Sequence, residues 1–473
     1  MNDGMIQPQE TLPPTTPEVA VQKEGASDLS IALIVLTVAL LVGTVMHRSQ
    51  IIYTVNDASR WDTVYYLVQH GTYEFLPLTK EQLPKWAIRP ATASAPDPAD
   101  PGSVPVLWTI DMIRVGNKLC SPKPPLFPTV LAGIAWVTQK VSGQTFHDNP
   151  LVIIRTCLIV AQILPLGICL LLLRRHIFAM TDSVFARNFS VAAACMGTFL
   201  TPWSLTLNNH VVAACTGMIA LDAVLRIWYD GRRQWYWFVI AAFFGAFTAT
   251  TELPAGLLAA AIMLAMLIKD AKRTLAFAVI AAAIPTAAYF YTNYLAVGTF
   301  KPAYTSKGTP GGFYDYPGSY WNDPRGVDAL KGKESRGVYL ANILFGHDGF
   351  FSLTPIFLVS LGGLAVELLP RGRRSLLALF VLAVTATVVA VYVKTTYDYG
   401  GGCQGFRWLF WVIPMWLIFL PVGVEHFARA TGGRAALYVL LAISVFSVGF
   451  AMDHPWTTNW IRLLFHAAGW IDY

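Results

Sequence analysis

Apolar residues run through this chain in long blocks separated by short polar breaks. From residue 28 the blocks recur near 28–47, 150–173, 184–203, 210–229, 235–251, 254–268, 274–296, 349–369, 375–393, 406–424 and 435–452. As helices, runs of about twenty apolar residues match the roughly 30 Å hydrocarbon core of a bilayer. The pattern predicts an all-α polytopic membrane protein of about eleven transmembrane helices. Residues 1–27 are Pro-rich and acidic and are expected to form a disordered tail. The 28–47 block is too long, and too poor in small-residue cleavage signals, for a removable signal peptide; it is expected to stay as an anchor.

Two long segments, 48–149 and 297–348, break the serpentine. In "NDASRWDTVYYLVQHGTYEF", Asn56 or Asp57 suits a helix N-cap, and Trp61, Val64, Tyr65 and Val68 follow at helical spacing. This predicts an amphipathic helix lying against the membrane. Residues 77–106, rich in Pro, Ala and Asp, read as a surface excursion. In "CSPKPPLFPT", Pro122, Pro124 and Pro125 hold Lys123 in a stiff turn and then open a second interfacial helix.

The net charge of +6 is a matter of topology, not of nucleic acid. Arg and Lys collect in "RRHIFAMTDSVFAR", "DGRRQ", "KDAKR", "RGRR" and "HFARATGGR", which fall on one side of the predicted spans and mark it as cytoplasmic. Only His47 and Arg48, after the acidic tail, dissent. The tail 1–27 is then cytoplasmic, 28–452 forms the transmembrane domain with its long loops outside, and 453–473 is an external C-terminal segment.

Ionisable residues are scarce inside the blocks and concentrate on the outer face or its rim: Asp57, Asp62, His70, Asp111, Lys123, His210, Glu252, His347, Asp348, Asp398 and Arg407. Such groups are expensive at membrane depth, so their concentration marks a site. Each has a plainer alternative. Asp57 suits a cap, a general base or a ligand to a divalent cation, with Asp62 as the alternative base. Lys123 suits a phosphate or a snorkelling lysine. Arg407 follows "YDYGGGCQGF", whose glycines would let backbone N–H groups approach an anion. His210 and Glu252 lie in tight turns and could meet a sugar or cap helices. His347 and Asp348 could meet substrate or a metal. Cys120 and Cys403 share the outer face and could pair if their Cα atoms come within about 7 Å. Cys157, Cys169, Cys195 and Cys215 read as packing residues. There is no Walker loop, Rossmann fingerprint, HExxH or GxSxG, so soluble nucleotide-sugar chemistry has no support.

An acidic residue just after the first span, an amphipathic helix and then "KPPLFP" resemble the GT-C membrane glycosyltransferases that use polyprenyl-phosphate sugars, nearest to the protein-mannosyltransferase and aminoarabinose-transferase group. The motifs lie in residues 50–145; beyond them the likeness is one of topology. The resemblance implies one-step transfer of a sugar, with inversion, to a lipid, glycan or protein acceptor. It places the enzyme in a bacterial inner membrane among membrane lipids, with its active site facing the periplasm. It implies that Lys123 holds the carrier phosphate, with Arg407 as a second candidate for that job; Asp57 is the candidate base, and His210, Glu252 and Asp348 are candidate substrate contacts. The family usually carries an acidic pair where this chain has Asp57 followed by Ala58. That departure leaves open whether Asp57 acts alone, with Asp62 or with a divalent metal, the one cofactor in view. The competing reading is a transporter or flippase of lipid-linked saccharides, which would call for charged or broken helices near the midplane, ideally with repeat symmetry; the sequence shows no convincing repeat.

Overall fold

A computed structural model of the chain describes residues 17–76, 109–322, 332–369 and 374–472, with side chains from residue 28 onward. Of the expected tail, residues 1–16 lie outside the described residues and 17–27 belong to helix α1 (Pro17–His47). The expected surface excursion also lies outside them, since 77–108 are not described.

Every predicted span is an apolar helix or helix pair. Seven are long enough to cross a bilayer: the Asp28–His47 part of α1, Pro150–Met180, Val184–Trp203, Asn209–Trp228, Ala271–Val297, Ser375–Thr395 and Gly433–Asp453. The block expected at 406–424 is instead two helices, Arg407–Leu417 and Leu420–Ala428, bent by 64°. The other three expected spans are shorter helices, Trp235–Thr251, Leu253–Lys269 and Ile356–Leu368. In chain order we label the helices α2 (Val55–His70), α3 (Leu126–Ser142), α4 (Pro150–Met180), α5 (Val184–Trp203), α6 (Asn209–Trp228), α7 (Trp235–Thr251), α8 (Leu253–Lys269), α9 (Ala271–Val297), α10 (Arg336–Leu344), α11 (Ile356–Leu368), α12 (Ser375–Thr395), α13 (Arg407–Leu417), α14 (Leu420–Ala428), α15 (Gly433–Asp453) and α16 (Trp460–Ala467).

Helix α6 is the axis of the bundle, buried over most of its length and packed on α4, α7 and α13. At one end, Asp222 gathers Arg175, His176 and Arg226 at 2.6–2.9 Å, tying α4 to α6 among the arginine-rich loops. At the other end sit α2, α3 and both long loops. Helix α4 contains a π turn at Ile159–Ile163 just before Pro165. Proline has no N–H for the helical ladder, and a π turn accommodates that gap. The turn lets Gln162 reach across and donate to the carbonyls of Thr206 and Asn208 at 3.0 and 2.9 Å, which pins the start of α6.

The amphipathic helix expected after the first span is α2. Trp61, Val64 and Tyr65 are buried and Val68 is half-buried, but every residue from Asp57 to Tyr66 is buried too, polar ones included, so the helix is enclosed by protein and does not show the one polar face that was expected. Its N-cap is Thr54, and Asp57 closes a capping box three residues on, so neither Asn56 nor Asp57 is itself the cap. The second expected interfacial helix is α3, which buries Leu131 and Ala135 and leaves Trp136, Val137 and Val141 exposed. Between them lies the only sheet among the described residues, a hairpin of β1 (Ile113–Val115) and β2 (Lys118–Cys120). Gly116, at φ 61°, makes its tight turn possible. The second long loop packs on this hairpin: Arg114 N–H donates to Phe313 O at 2.9 Å, and Tyr314 is buried with Ile113 and Cys120.

Candidate functional site

Three cationic side chains from distant segments converge where the hairpin, α2 and the start of α6 meet. Lys123, on the proline turn, places Nζ 2.5 Å from Asp111 Oδ2 and 5.7 Å from the ring centre of Trp321. The turn is held to α2 by a Ser59–Ser121 hydroxyl bond of 2.7 Å, and Ser121 Oγ accepts from Lys123 N. Next to Ser59 stands Arg60, buried to 4% exposure. Its guanidinium donates to Asn56 and, at 2.5 Å, to Asn209 Oδ1. Arg407 donates to Gly400 O and, at 3.1 Å, to His210 Nε2, and lies 5.0 Å over the Trp456 ring.

Glu252 joins the two guanidiniums. Its Oε1 accepts from Asn209 Nδ2 at 2.6 Å and contacts His210 Nδ1. Because an arginine can only donate, His210 must accept through Nε2, which leaves its proton on Nδ1 facing Glu252. Two adjacent residues at the start of α6 thus connect one carboxylate to Arg60 and to Arg407. Among the described residues neither guanidinium has a carboxylate of its own within ion-pair distance.

The electrostatics reflect this crowding of like charge. Burial lowers Arg60 to about 10, and the nearby Arg407 charge pushes the same way. Burial likewise brings Lys123 down to about 8; Asp111 opposes the shift, while Arg60 and Arg407 add to it. Unlike charges also surround the group: Asp111, Glu252 and Asp57 all act on Arg60. Asp111 is buried, and its Oδ1 has no hydrogen-bond partner. The site therefore combines excess hydrogen-bond donors with one open carboxylate oxygen, an arrangement suited to an anion with a hydroxyl beside it.

Of the residues singled out in the sequence, Lys123, Arg407, His210 and Glu252 come together here. Asp57 lies under the cluster and is fully buried. Its oxygens accept from Tyr53 N, Thr54 N, Thr54 Oγ1, Ala58 N and Thr206 Oγ1. Burial raises it to about 6 even against those bonds. Five donors occupy its lone pairs, so its surroundings do not fit a divalent cation. Among the described residues no three His, Cys, Asp or Glu side chains converge on a metal position. Asp62 is buried, its Oδ2 has no hydrogen-bond partner, and burial pushes it well above the usual carboxylate range.

Asp348 stands apart as a staple. It accepts from Asn459 at 2.7 Å, from His347 at 2.6 Å, and has Arg462 at 3.6 Å, which ties α16 to the bundle. The glycine loop before Arg407 also differs from expectation. The N–H groups of Gly400 and Gly401 donate to Asp398 Oδ1 at 2.9 and 2.7 Å, so they hold the loop closed instead of facing an anion. Cys120 and Cys403 are both free and buried, each with its thiol pushed up to about 12 by burial and turned toward backbone carbonyls; the pairing that their shared face allowed is not formed.

Sequence reasoning missed Arg60, Asn209 and Trp456. Arg60 was visible as a cation between two aspartates on a helix with a buried face. Asn209 and Trp456 carry no such signal, because their roles arise only where α6 and the C-terminal segment meet the other elements.

No family model and no curated protein matches the chain. Among solved structures it is similar to ArnT from Cupriavidus metallidurans in the apo state, with 11% identity and a TM-score of 0.47 over 89% of this chain and 75% of that one. It is similar also to the Archaeoglobus fulgidus oligosaccharyltransferase in complex with Zn and sulfate, with 13% identity and a TM-score of 0.47 over 93% of this chain and 55% of that one. The chain thus spans about half the length of the oligosaccharyltransferase.

Proposed function

We propose that this protein is an integral membrane glycosyltransferase that moves a sugar from a polyprenyl-phosphate donor to an acceptor hydroxyl on the outer side of a bacterial inner membrane. The observation that carries the reading is the convergence of Lys123, Arg60 and Arg407, two of which lack a carboxylate partner. In this reading they hold the carrier phosphate. The acceptor oxygen attacks the anomeric carbon from the face opposite the phosphate, a new C–O bond forms, and the bond from that carbon to the phosphate oxygen breaks with inversion. Negative charge grows on the leaving phosphate, where fixed cations in a dry site stabilise it most. Asp111 takes the acceptor's proton through its open Oδ1. Asp57 holds α2 so that Arg60 faces the cluster. No step runs through a metal.

The test is transfer of a labelled sugar from a synthetic polyprenyl-phosphate donor by the purified protein, with products identified by mass spectrometry. A protein that binds the donor and never releases free polyprenyl phosphate would sink this reading.

A further inference from the structure

One groove in the bundle shares none of its lining residues with the Lys123 cluster. Between α10 and α12 runs a groove of about 660 Å³, a volume in the range of small-molecule sites. Its walls are Leu340 and Leu344 from α10 and Ala386, Val389 and Val393 from α12; Trp416 forms part of its floor. The Trp416 Nε1–H is already satisfied by Thr385 Oγ1 at 2.9 Å, so the floor offers no unpaired donor there. Lined this way, the groove is suited to hydrocarbon.

Its upper end is different. Arg336 and Lys394 are the only charged residues lining the groove. Arg336 is oriented by a 2.6 Å bond to Thr396 O and by stacking 3.6 Å over the Tyr397 ring. Lys394 is exposed at the end of α12. Neither is ion-paired to a carboxylate among the described residues. The acids nearby are engaged elsewhere: Glu334 accepts from Tyr399 at 2.5 Å, and Asp398 closes the glycine loop. Along α12 the groove runs from Leu382 to Lys394, a rise of roughly 18 Å. That is close to one leaflet of a bilayer whose hydrocarbon core is about 30 Å thick.

We infer that this groove binds an anionic membrane phospholipid, with an acyl chain between α10 and α12 and the phosphate at Arg336 and Lys394. The leaflet-length groove matches an acyl chain, and the paired cations match an anionic headgroup. The site does not depend on the sugar-transfer reading, because its ligand and its cations are distinct from those of the Lys123 cluster.

The full chain is purified, reconstituted with phosphatidylglycerol or phosphatidylethanolamine, and examined by native mass spectrometry for lipid that survives detergent exchange. Phosphatidylglycerol is expected to be retained at one molecule per chain, at least tenfold over phosphatidylethanolamine. Retention falls at least tenfold in the Arg336→Ala, Lys394→Ala double variant, and falls also in Val389→Trp, which fills the groove while keeping both cations. Thermal unfolding of each variant confirms that it is folded. Equal retention of the two lipids, unchanged retention in the double variant, or displacement of phosphatidylglycerol by equimolar polyprenyl phosphate would overturn the assignment.

Discussion

Arg407 donates to His210 Nε2 at 3.1 Å, and the other nitrogen of the same imidazole faces Glu252. A carboxylate that does not touch Arg407 therefore sets the tautomer that receives it. Glu252→Gln keeps the shape and removes the charge felt by Arg60 and by the His210 ring that receives Arg407. Donor affinity is expected to fall about tenfold, and a double-mutant cycle with Arg407→Lys to show coupling above about 1 kcal/mol. A purely structural Glu252 would lower the unfolding temperature and leave donor affinity and the coupling at zero change.

Lys123 gives a pH signature. Burial brings it down to about 8, so it carries its charge below that pH and loses it above. Donor affinity should be flat below pH 8 and decline above it, well before an ordinary lysine would titrate. Lys123→Arg keeps a charge at all these pH values and should abolish the decline while binding more weakly overall. Affinity measured by titration from pH 6 to 10 decides; an unchanged profile in the arginine variant would remove Lys123 from the phosphate site.

Asp111 and Asp57 are expected to separate cleanly. Asp111→Asn should cut turnover by about a hundredfold or more with donor binding kept, the loss of a general base. Asp57→Asn should act on folding. Asp57 has a folded pKa of about 6, raised above its unfolded value, so the protein holds an extra proton there between about pH 4 and 6. Its contribution to stability is full below that window and is lost as the pH rises through it. The penalty of Asp57→Asn should therefore be larger at pH 4 than at pH 7. Thermal unfolding at both values checks this, and a variant with native stability but no turnover would return Asp57 to the chemistry.

Orientation can be read with reporters. One fused after Tyr473 is expected outside and one inserted near Gly231 inside, as the arginine-bearing loops require. A cytoplasmic C-terminal reporter would place the Lys123 cluster on the wrong side for an external acceptor.

Hydropathy made the helices legible because a bilayer demands long apolar runs, and each predicted block does contain helix. It could not show the break at 406–424, since both halves are apolar; the local mark is Pro421, in the first turn of α14, which has no N–H to continue the helical ladder from α13. It also passed over the β1–β2 hairpin, whose strands are only three residues each. Lys123, Arg407, His210 and Glu252 were legible as charges on one face. Asp348 was not distinguishable from them, because burial against Asn459 and Arg462 is a tertiary fact. The glycine loop misled for a local reason: Asp398, two residues ahead of Gly400, supplies the anion that its N–H groups face.

The bond between Lys123 and Asp111 means that the lysine is occupied before any ligand arrives. A neutral molecule entering the pocket gives the ammonium nothing better than the carboxylate it already has, and is rejected. A phosphate can replace the carboxylate, and in doing so it releases Asp111 to turn to the group beside it. Occupancy of the anion position and readiness of the base would then be one event, so that the same exchange which admits the right ligand also arms the residue that acts beside it.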